Sequence, residues 1–313
     1  MTSASSPTLP LAEGPVSIGS FADPVAVDPD PPLLAALVAA YRDAAPAAVD
    51  PDLDALRATA KAAQADDDPL SPAADLPTLT VLARDRAVDA LADRFHPASR
   101  LAALAEAGVW DLQTLAEPQP NAVLAGQSDG CVLVAAAGER GDDSAAAADR
   151  GPWCRIGVDA TLRDRYDALL ADAEAVRLRT PSRHRLYGAL RERCGDGVAD
   201  DALRLLDEDA TGADPLDRGG ARVRTYAAGA RRSALDRDLR RACEDAGLGS
   251  SATFTRIKKE LVEAGLLGTE SVSQPVGRPR KRLVARGSLA DASSPTAALE
   301  ALRETGLGVD GSA

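Results

Sequence analysis

Aromatic side chains are scarce in this chain, 3% of its 313 residues against 45% hydrophobic residues overall. Its cores must therefore be built from Ala, Leu and Val. Lysine is also rare: 4 Lys stand beside 32 Arg, and the acids are 35 Asp against 13 Glu. A surface rich in Asp and Ala and poor in Lys and Ile fits a cytoplasmic protein of a high-salt organism, and a GC-rich genome adds to the same Ala, Arg and Asp excess. No apolar run reaches membrane-spanning length, and the Ser/Thr/Pro-rich start lacks the basic and apolar regions of a signal peptide, so a soluble, intracellular protein without membrane contact is expected. The four cysteines, Cys131, Cys154, Cys194 and Cys243, have no metal-ligand spacing and read as small core residues of a reducing cytoplasm. His96 precedes a proline and His184 lies among arginines, neither beside a nucleophile motif. No Gly-rich phosphate loop follows the first strand either; the turn there is Asp28-Pro29-Asp30-Pro31-Pro32, rich in carboxylates and poor in free amides. Membrane, metal, dinucleotide and nucleophilic chemistry are all unsupported, so no cofactor and no catalytic residue are expected.

What the chain does have is an uneven charge. Its formal net charge is −12. Between Arg222 and Arg286, however, 12 Arg and 3 Lys face 7 acids, a balance of +8, leaving −20 for the rest (21 bases, 41 acids). A basic module on an acidic chain is the electrostatic footprint of a nucleic-acid binder. The bland alternative is Arg clustered on solvated helix faces. At ~1 M salt the Debye length shrinks to ~3 Å, so close contacts rather than long-range steering would have to supply affinity.

The length suits two modest domains plus tails. Residues 1–15 lack periodicity and read as a disordered lead. Over residues 16–180, apolar segments alternate with helical ones: a strand before Asp28, a helix over Leu33–Tyr41, a strand at Leu79–Leu82, and helices through Phe95 and over Ser99–Ala107. Strand Val109–Leu115, a hairpin around Gln127-Ser128-Asp129-Gly130, an edge strand at Trp153–Val158 and a helix opened by Asp159 follow. This predicts an α/β domain with a mixed sheet, interrupted by a variable acidic excursion over 44–77. Asp28, Arg84 and Asp85, at the strand ends, are candidates for a small-molecule effector site; helix caps and surface ion pairs are the plainer account. Residues 181–214 form a helical connector whose basic start, Arg179 to Arg185, packs against acids or touches phosphate.

Residues 215–287 form the second domain. Helices over Leu216–Arg232 and Ala234–Ala246 precede the turn Gly247-Leu248-Gly249. Ser250 then caps a helix whose Phe254, Ile257 and Leu261 share one buried side. The opposite side carries Ala252, Thr255, Arg256 and Lys259. Residues 269–284 read as a two-stranded hairpin with Pro275-Val276-Gly277-Arg278-Pro279 at its turn. Together they predict a winged helix-turn-helix, so the fold class is α/β + α. Arg256 and Lys259 are placed to reach base acceptors, Thr255 a base or phosphate, and Ala252 a thymine methyl. Ser251, Arg240 and Arg241 suit phosphates, Arg278 and Arg280 suit a narrow minor groove at the wing, and Arg282 beside them is a further DNA-binding candidate. The tail over 288–313 contains a short helical segment, Ala297–Glu304, suited to a dimer contact.

The stretches ATFTRIKKELVEAGLL, the following Thr269-Glu270, and VGRPRKRL resemble the C-terminal half of the haloarchaeal TbsP-type transcriptional regulators. The similarity is strong over residues 230–286 and weaker but collinear over 24–205, including the strand before Arg84-Asp85 and the Arg179-Thr180-Pro181-Ser182-Arg183 connector. The chain departs from the pattern in the helix before the turn, ALDRDLRRAC, and in the 44–77 excursion. The resemblance implies a DNA-binding regulator of central carbon metabolism genes. The leading expectation is thus a sequence-specific, homodimeric regulator bound to double-stranded DNA, with an N-terminal domain that senses a metabolite or mediates assembly. The alternative is an α/β enzyme or ligand-binding protein with a basic protein-interaction module.

Overall fold

The computed structural model describes residues 6–11, 13–62, 75–133, 153–208, 216–273 and 279–306. The chain divides into two compact units, one comprising Met1–Asp50, Asp68–Leu91 and Arg100–Arg177, the other Pro51–Asp67, Ala92–Ser99 and Leu178–Ala313. Among the described residues no helix is long and apolar enough to cross a membrane.

The first unit is built on a mixed sheet. Its strands are β1 (Thr8–Leu11), β2 (Gly14–Ser17), β3 (Val25–Val27), β4 (Leu79–Ala83), β5 (Trp110–Thr114), β6 (Val123–Ala125), β7 (Gly130–Leu133) and β8 (Trp153–Ile156), in the order β2-β1-β8-β7-β6-β3-β4-β5. The three residues of β3 are all buried, as a strand covered on both faces requires. It runs parallel to β4, with Val25 opposite Thr80 and Val27 opposite Leu82, and β4 runs parallel to β5. Parallel neighbours need crossovers. Helices α1 (Pro31–Ala44) and α2 (Pro46–Val49) lie in the first crossover, as does α3 (Leu53–Ala62), which belongs to the second unit; α4 (Asp85–Ala92) and α5 (Phe95–Glu106) lie in the second. Prolines at its first positions and the Asp30 carboxylate, which accepts from Leu33 N at 2.8 Å, start α1. One face of that helix buries Leu34, Leu37 and Tyr41, and the Tyr41 ring meets Trp110 edge-on at 5.3 Å.

Three expectations change here. Residues 8–17 are not a featureless lead: β1 and β2 form an antiparallel hairpin with Leu9 buried. For that reason β8 is not an edge strand, since Trp153 pairs with Leu11 on one side while β7 lies on the other. Asp159 does not open a long helix. Its carboxylate accepts from the Thr161 amide at 2.9 Å and from the Thr161 hydroxyl at 2.7 Å, a local turn that competes with helix initiation. The helix that follows, α6 (Asp167–Ala171), is short. Of the expected 44–77 excursion, α2 and α3 occupy much of the first half; residues 63–74, like residues 134–152, lie outside the described residues.

The second unit continues with α7 (Arg183–Cys194), α8 (Asp196–Asp207), α9 (Arg218–Arg231), α10 (Asp236–Ala246), α11 (Ser251–Glu263), β9 (Leu267–Val272), β10 (Arg280–Ala285), α12 (Gly287–Asp291) and α13 (Pro295–Glu304). One apolar core runs through it. Leu186, Leu190 and Leu206 from α7 and α8 join Tyr226, Leu239, Phe254, Ile257, Leu261 and Leu283, with Leu289 and Leu302 from the last two helices. The expected connector and tail therefore share the core of the helix-turn-helix rather than flanking a separate domain of residues 215–287. The apolar side of α13 is spent in this core as well, with Ala298, Leu299, Ala301 and Leu302 buried, so it is not free for a dimer contact. Arg183, in the basic cluster, is buried and paired with Asp207.

Candidate nucleic-acid interface

Helices α9, α10 and α11 and the β9–β10 hairpin form a winged helix-turn-helix. Gly229 lets α9 and α10 approach closely: a Cβ there would stand 2.3 Å from Leu239 Cδ2. Helix α10 stops at Gly247, whose φ of +84° is the left-handed conformation of a glycine cap. The turn is then pinned from α9, because Arg222 Nε donates to Leu248 O at 2.7 Å. Ser250 restarts the helix, its hydroxyl accepting from Thr253 N at 3.2 Å. The Phe254 ring stacks on Tyr226 at 5.8 Å, which seats α11 on α9. A single β-bridge just ahead of α10 ties the helices to the wing, Leu235 lying opposite Arg282 and Leu283 N donating to Ala234 O at 2.9 Å.

With Phe254, Ile257 and Leu261 buried, α11 turns Ala252, Thr255, Arg256 and Lys259 outward, all four exposed. Their polar groups are already engaged. Arg256 Nη1 pairs with Glu260 Oε1 at 2.9 Å and Lys259 Nζ with Glu263 Oε1 at 3.6 Å, each four residues along the helix. Thr255 Oγ1 donates to Ser251 O at 2.8 Å. Exposed pairs of this type are worth only ~0.3–0.5 kcal/mol, so exchanging the carboxylate for a phosphate or base is cheap. The face is thus preorganised by weak contacts that a stronger acceptor can replace.

The remaining candidates divide into two groups. Arg241 and Arg282 are exposed and, among the described residues, have no ion-pair partner. Arg240 and Arg280 are held: Arg240 Nη1 donates to Ser251 Oγ at 3.2 Å and Nη2 pairs with Asp236 at 3.3 Å, while Arg280 Nη1 reaches Asp238 Oδ2 at 3.4 Å. Ser251 is correspondingly half-buried, its hydroxyl an acceptor and its amide donating to Glu244 Oε1 at 2.6 Å. On the wing, Lys281 Nζ donates to Ser271 Oγ at 2.9 Å, and Arg282 lies opposite Glu270 in the ladder. Of the expected turn Pro275–Pro279 all but the exposed Pro279 lies outside the described residues, Arg278 included.

One residue that sequence reasoning passed over stands at the centre of this arrangement. Asp236, at the start of α10, is buried and accepts from Tyr226 Oη, Arg240 and, at 2.9 Å, Lys258 Nζ. Burial and the adjoining carboxylate push the Tyr226 phenol far above its ordinary pKa, which keeps it a donor. The only signal in the sequence was an acid in a first helical turn, which ordinarily reads as a partner of the helix dipole.

In the first unit, Asp28 and Arg84 do come together, at the ends of β3 and β4. Arg84 Nε donates to Asp28 Oδ1 at 2.6 Å, and Gln119 N donates to the other oxygen at 2.8 Å. The Asp28 side chain is only 2% exposed and its backbone has a φ of +49°. Its carboxylate is thus saturated inside the protein, while Asp85 is exposed in the first turn of α4. Cys131 and Cys243 are buried, with burial raising both thiol pKa values, and among the described residues no cluster of His, Cys, Asp and Glu could hold a metal ion.

Comparison with protein families matches residues 33–181 to the model described as transcriptional regulator TbsP-like, N-terminal. Residues 182–303 match the model described as transcriptional regulator TbsP-like, C-terminal HTH domain. The boundary between the matches falls just ahead of α7, close to where the second unit resumes at Leu178. Comparisons with curated proteins and with solved structures yield no match.

Proposed function

The chain belongs to the TbsP-like transcriptional regulators, and from that premise we propose that it reads a specific DNA sequence with α11 in the major groove and the β9–β10 wing on the adjacent groove. One observation carries this reading: α11 is buried along Phe254, Ile257 and Leu261 and presents Ala252, Thr255, Arg256 and Lys259 on its opposite, exposed side. Arg256 and Lys259 trade their helical carboxylates for base acceptors, and Thr255 adds a base or phosphate contact. Arg241 and Arg282 take phosphates directly; Arg280 joins once Asp238 yields, Arg240 and Ser251 stay bonded to each other behind α11, and Arg278 enters the minor groove from the wing. The protein acts as a homodimer, so that two such helices meet half-sites one duplex turn apart.

The first unit serves in assembly or in sensing a small anionic metabolite. Arg84, 22% exposed beyond its bond to Asp28, and Asp85 at the start of α4 are the residues nearest to such a role. Selection from a duplex library with about 20 randomised base pairs, two turns of DNA, tests the reading. Wild type should enrich one motif, and Arg256→Ala should lose about 1–3 kcal/mol of preference for it. Equal discrimination by wild type and Arg256→Ala would remove α11 from base reading.

A further inference from the structure

Three helices converge on the Asp236 carboxylate. Tyr226 reaches it from α9, Arg240 from α10 and Lys258 from α11. Arg240 also donates to Ser251 Oγ, so the same carboxylate holds α11 at Ser251 through Arg240 and at Lys258 directly. Those two points lie seven residues apart, two turns along one side of the helix. A rod held at two points two turns apart cannot roll about its axis without breaking one of them. The Asp236 side chain is 6% exposed, and the Arg240 and Lys258 side chains are each 27% exposed. In so little water the pairs are screened far less than Arg256–Glu260 or Lys259–Glu263 on the outer face.

We infer that Asp236 is a positioning residue for base reading: it fixes the rotation of α11 and withholds two cations, Arg240 and Lys258, from the DNA backbone. This rests on the proposal that α11 reads DNA. Both effects serve discrimination. A fixed roll keeps Arg256 and Lys259 aimed at base edges, and two sequestered cations reduce the sequence-independent attraction that phosphates exert on every duplex alike.

The test uses the full chain, the duplex enriched in the selection and a shuffled duplex of the same composition. Each is titrated at several salt concentrations with wild type, Asp236→Asn and Lys258→Met. For Asp236→Asn the shuffled duplex should bind about 3-fold tighter at low salt, with a salt slope steeper by about 0.9–1.8 as one or two cations reach phosphates. Its preference for the enriched duplex should fall roughly 10-fold, the loss expected when one good base contact is misaligned. Lys258→Met keeps the stem and removes the charge; its preference should fall while the salt slope stays that of wild type. A purely structural role would lower binding to both duplexes together. Should Asp236→Asn fail to fold by circular dichroism, Lys258→Met decides alone. An unmoved preference in the variants, or a slope reduced by about 0.9 in Lys258→Met, overturns the inference. A library from which wild type enriches nothing overturns both this and the reading of the module as a sequence-specific DNA reader.

Discussion

Each unit of the protein contains a buried, saturated aspartate, and the two are used differently. In the first unit Asp28 joins neighbouring parts of the sheet: Arg84 at the end of β4, the Gln119 amide, and a backbone bond from its own N–H to Leu82 O at 2.9 Å. Those partners are anchored in a sheet whose register is already set by the β3–β4 and β4–β5 ladders. In the second unit Asp236 joins three helices on an Ala- and Leu-rich core, beside the Tyr226–Phe254 stack that also seats α11. The lesson is that a buried carboxylate locks whatever is left undetermined around it. In a laddered sheet that is a loop; in a helical module poor in aromatics it is the orientation of a helix.

That contrast can be broken experimentally. The largest effect is expected for Asp28→Ala and Asp236→Ala, each leaving a cation without its buried partner. Calorimetry should show a loss of about 3 kcal/mol or roughly 6–12 °C in Tm for the affected unit, but only Asp236→Ala should change DNA discrimination. If Asp28→Ala changes it equally, the two aspartates are not distinct in role. Next in size, Gly229→Ala forces Leu239 aside at the α9–α10 crossing, where a Cβ would be 2.3 Å from Leu239 Cδ2. Overpacking of this kind should cost about 1–3 kcal/mol in urea denaturation. Gly247→Ala places a side chain at a φ of +84°. It should cost about 1–2 kcal/mol in the same assay without altering packing, since nothing stands within 4 Å of the added Cβ. Smallest of all on stability, Glu260→Gln should stay within about 0.5 kcal/mol of wild type, yet bind duplexes more tightly because Arg256 is released. A stability loss well beyond that would mean the Arg256–Glu260 pair is structural.

Much of the second unit could be read directly from the chain. The recurrence of Phe254, Ile257 and Leu261 after the Ser250 cap, the glycines of the turn and the alternation into a hairpin each have a local physical cause. Local causes are visible in a sequence. The same holds for β3, β4 and β5 and for the Gln127–Gly130 hairpin. The failures have other causes. Residues 8–17 carry a weak pattern of their own; they pair with each other and join the sheet through Leu11 opposite Trp153 of β8, far along the chain. Asp159 looks like a helix start until its bond to Thr161 closes a tighter turn. The α7–α8 pair and α13 read as connector and tail because nothing local says that their leucines enter the core of the helix-turn-helix.

At the candidate interface, composition alone placed a positive balance in residues 222–286 and periodicity chose the outward side of α11. Those features depend on residue type and spacing along a single helix. Spacing along one helix also sets Arg256 beside Glu260, Lys259 beside Glu263 and Arg240 beside Asp236, each four residues apart. What packing decided is that Arg280 of the wing finds Asp238 on α10 and that Lys258 of α11 shares Asp236. Charge along a chain is additive and so can be counted, whereas pairing between elements follows distances and burial that exist only after α9, α10 and α11 have closed around one another.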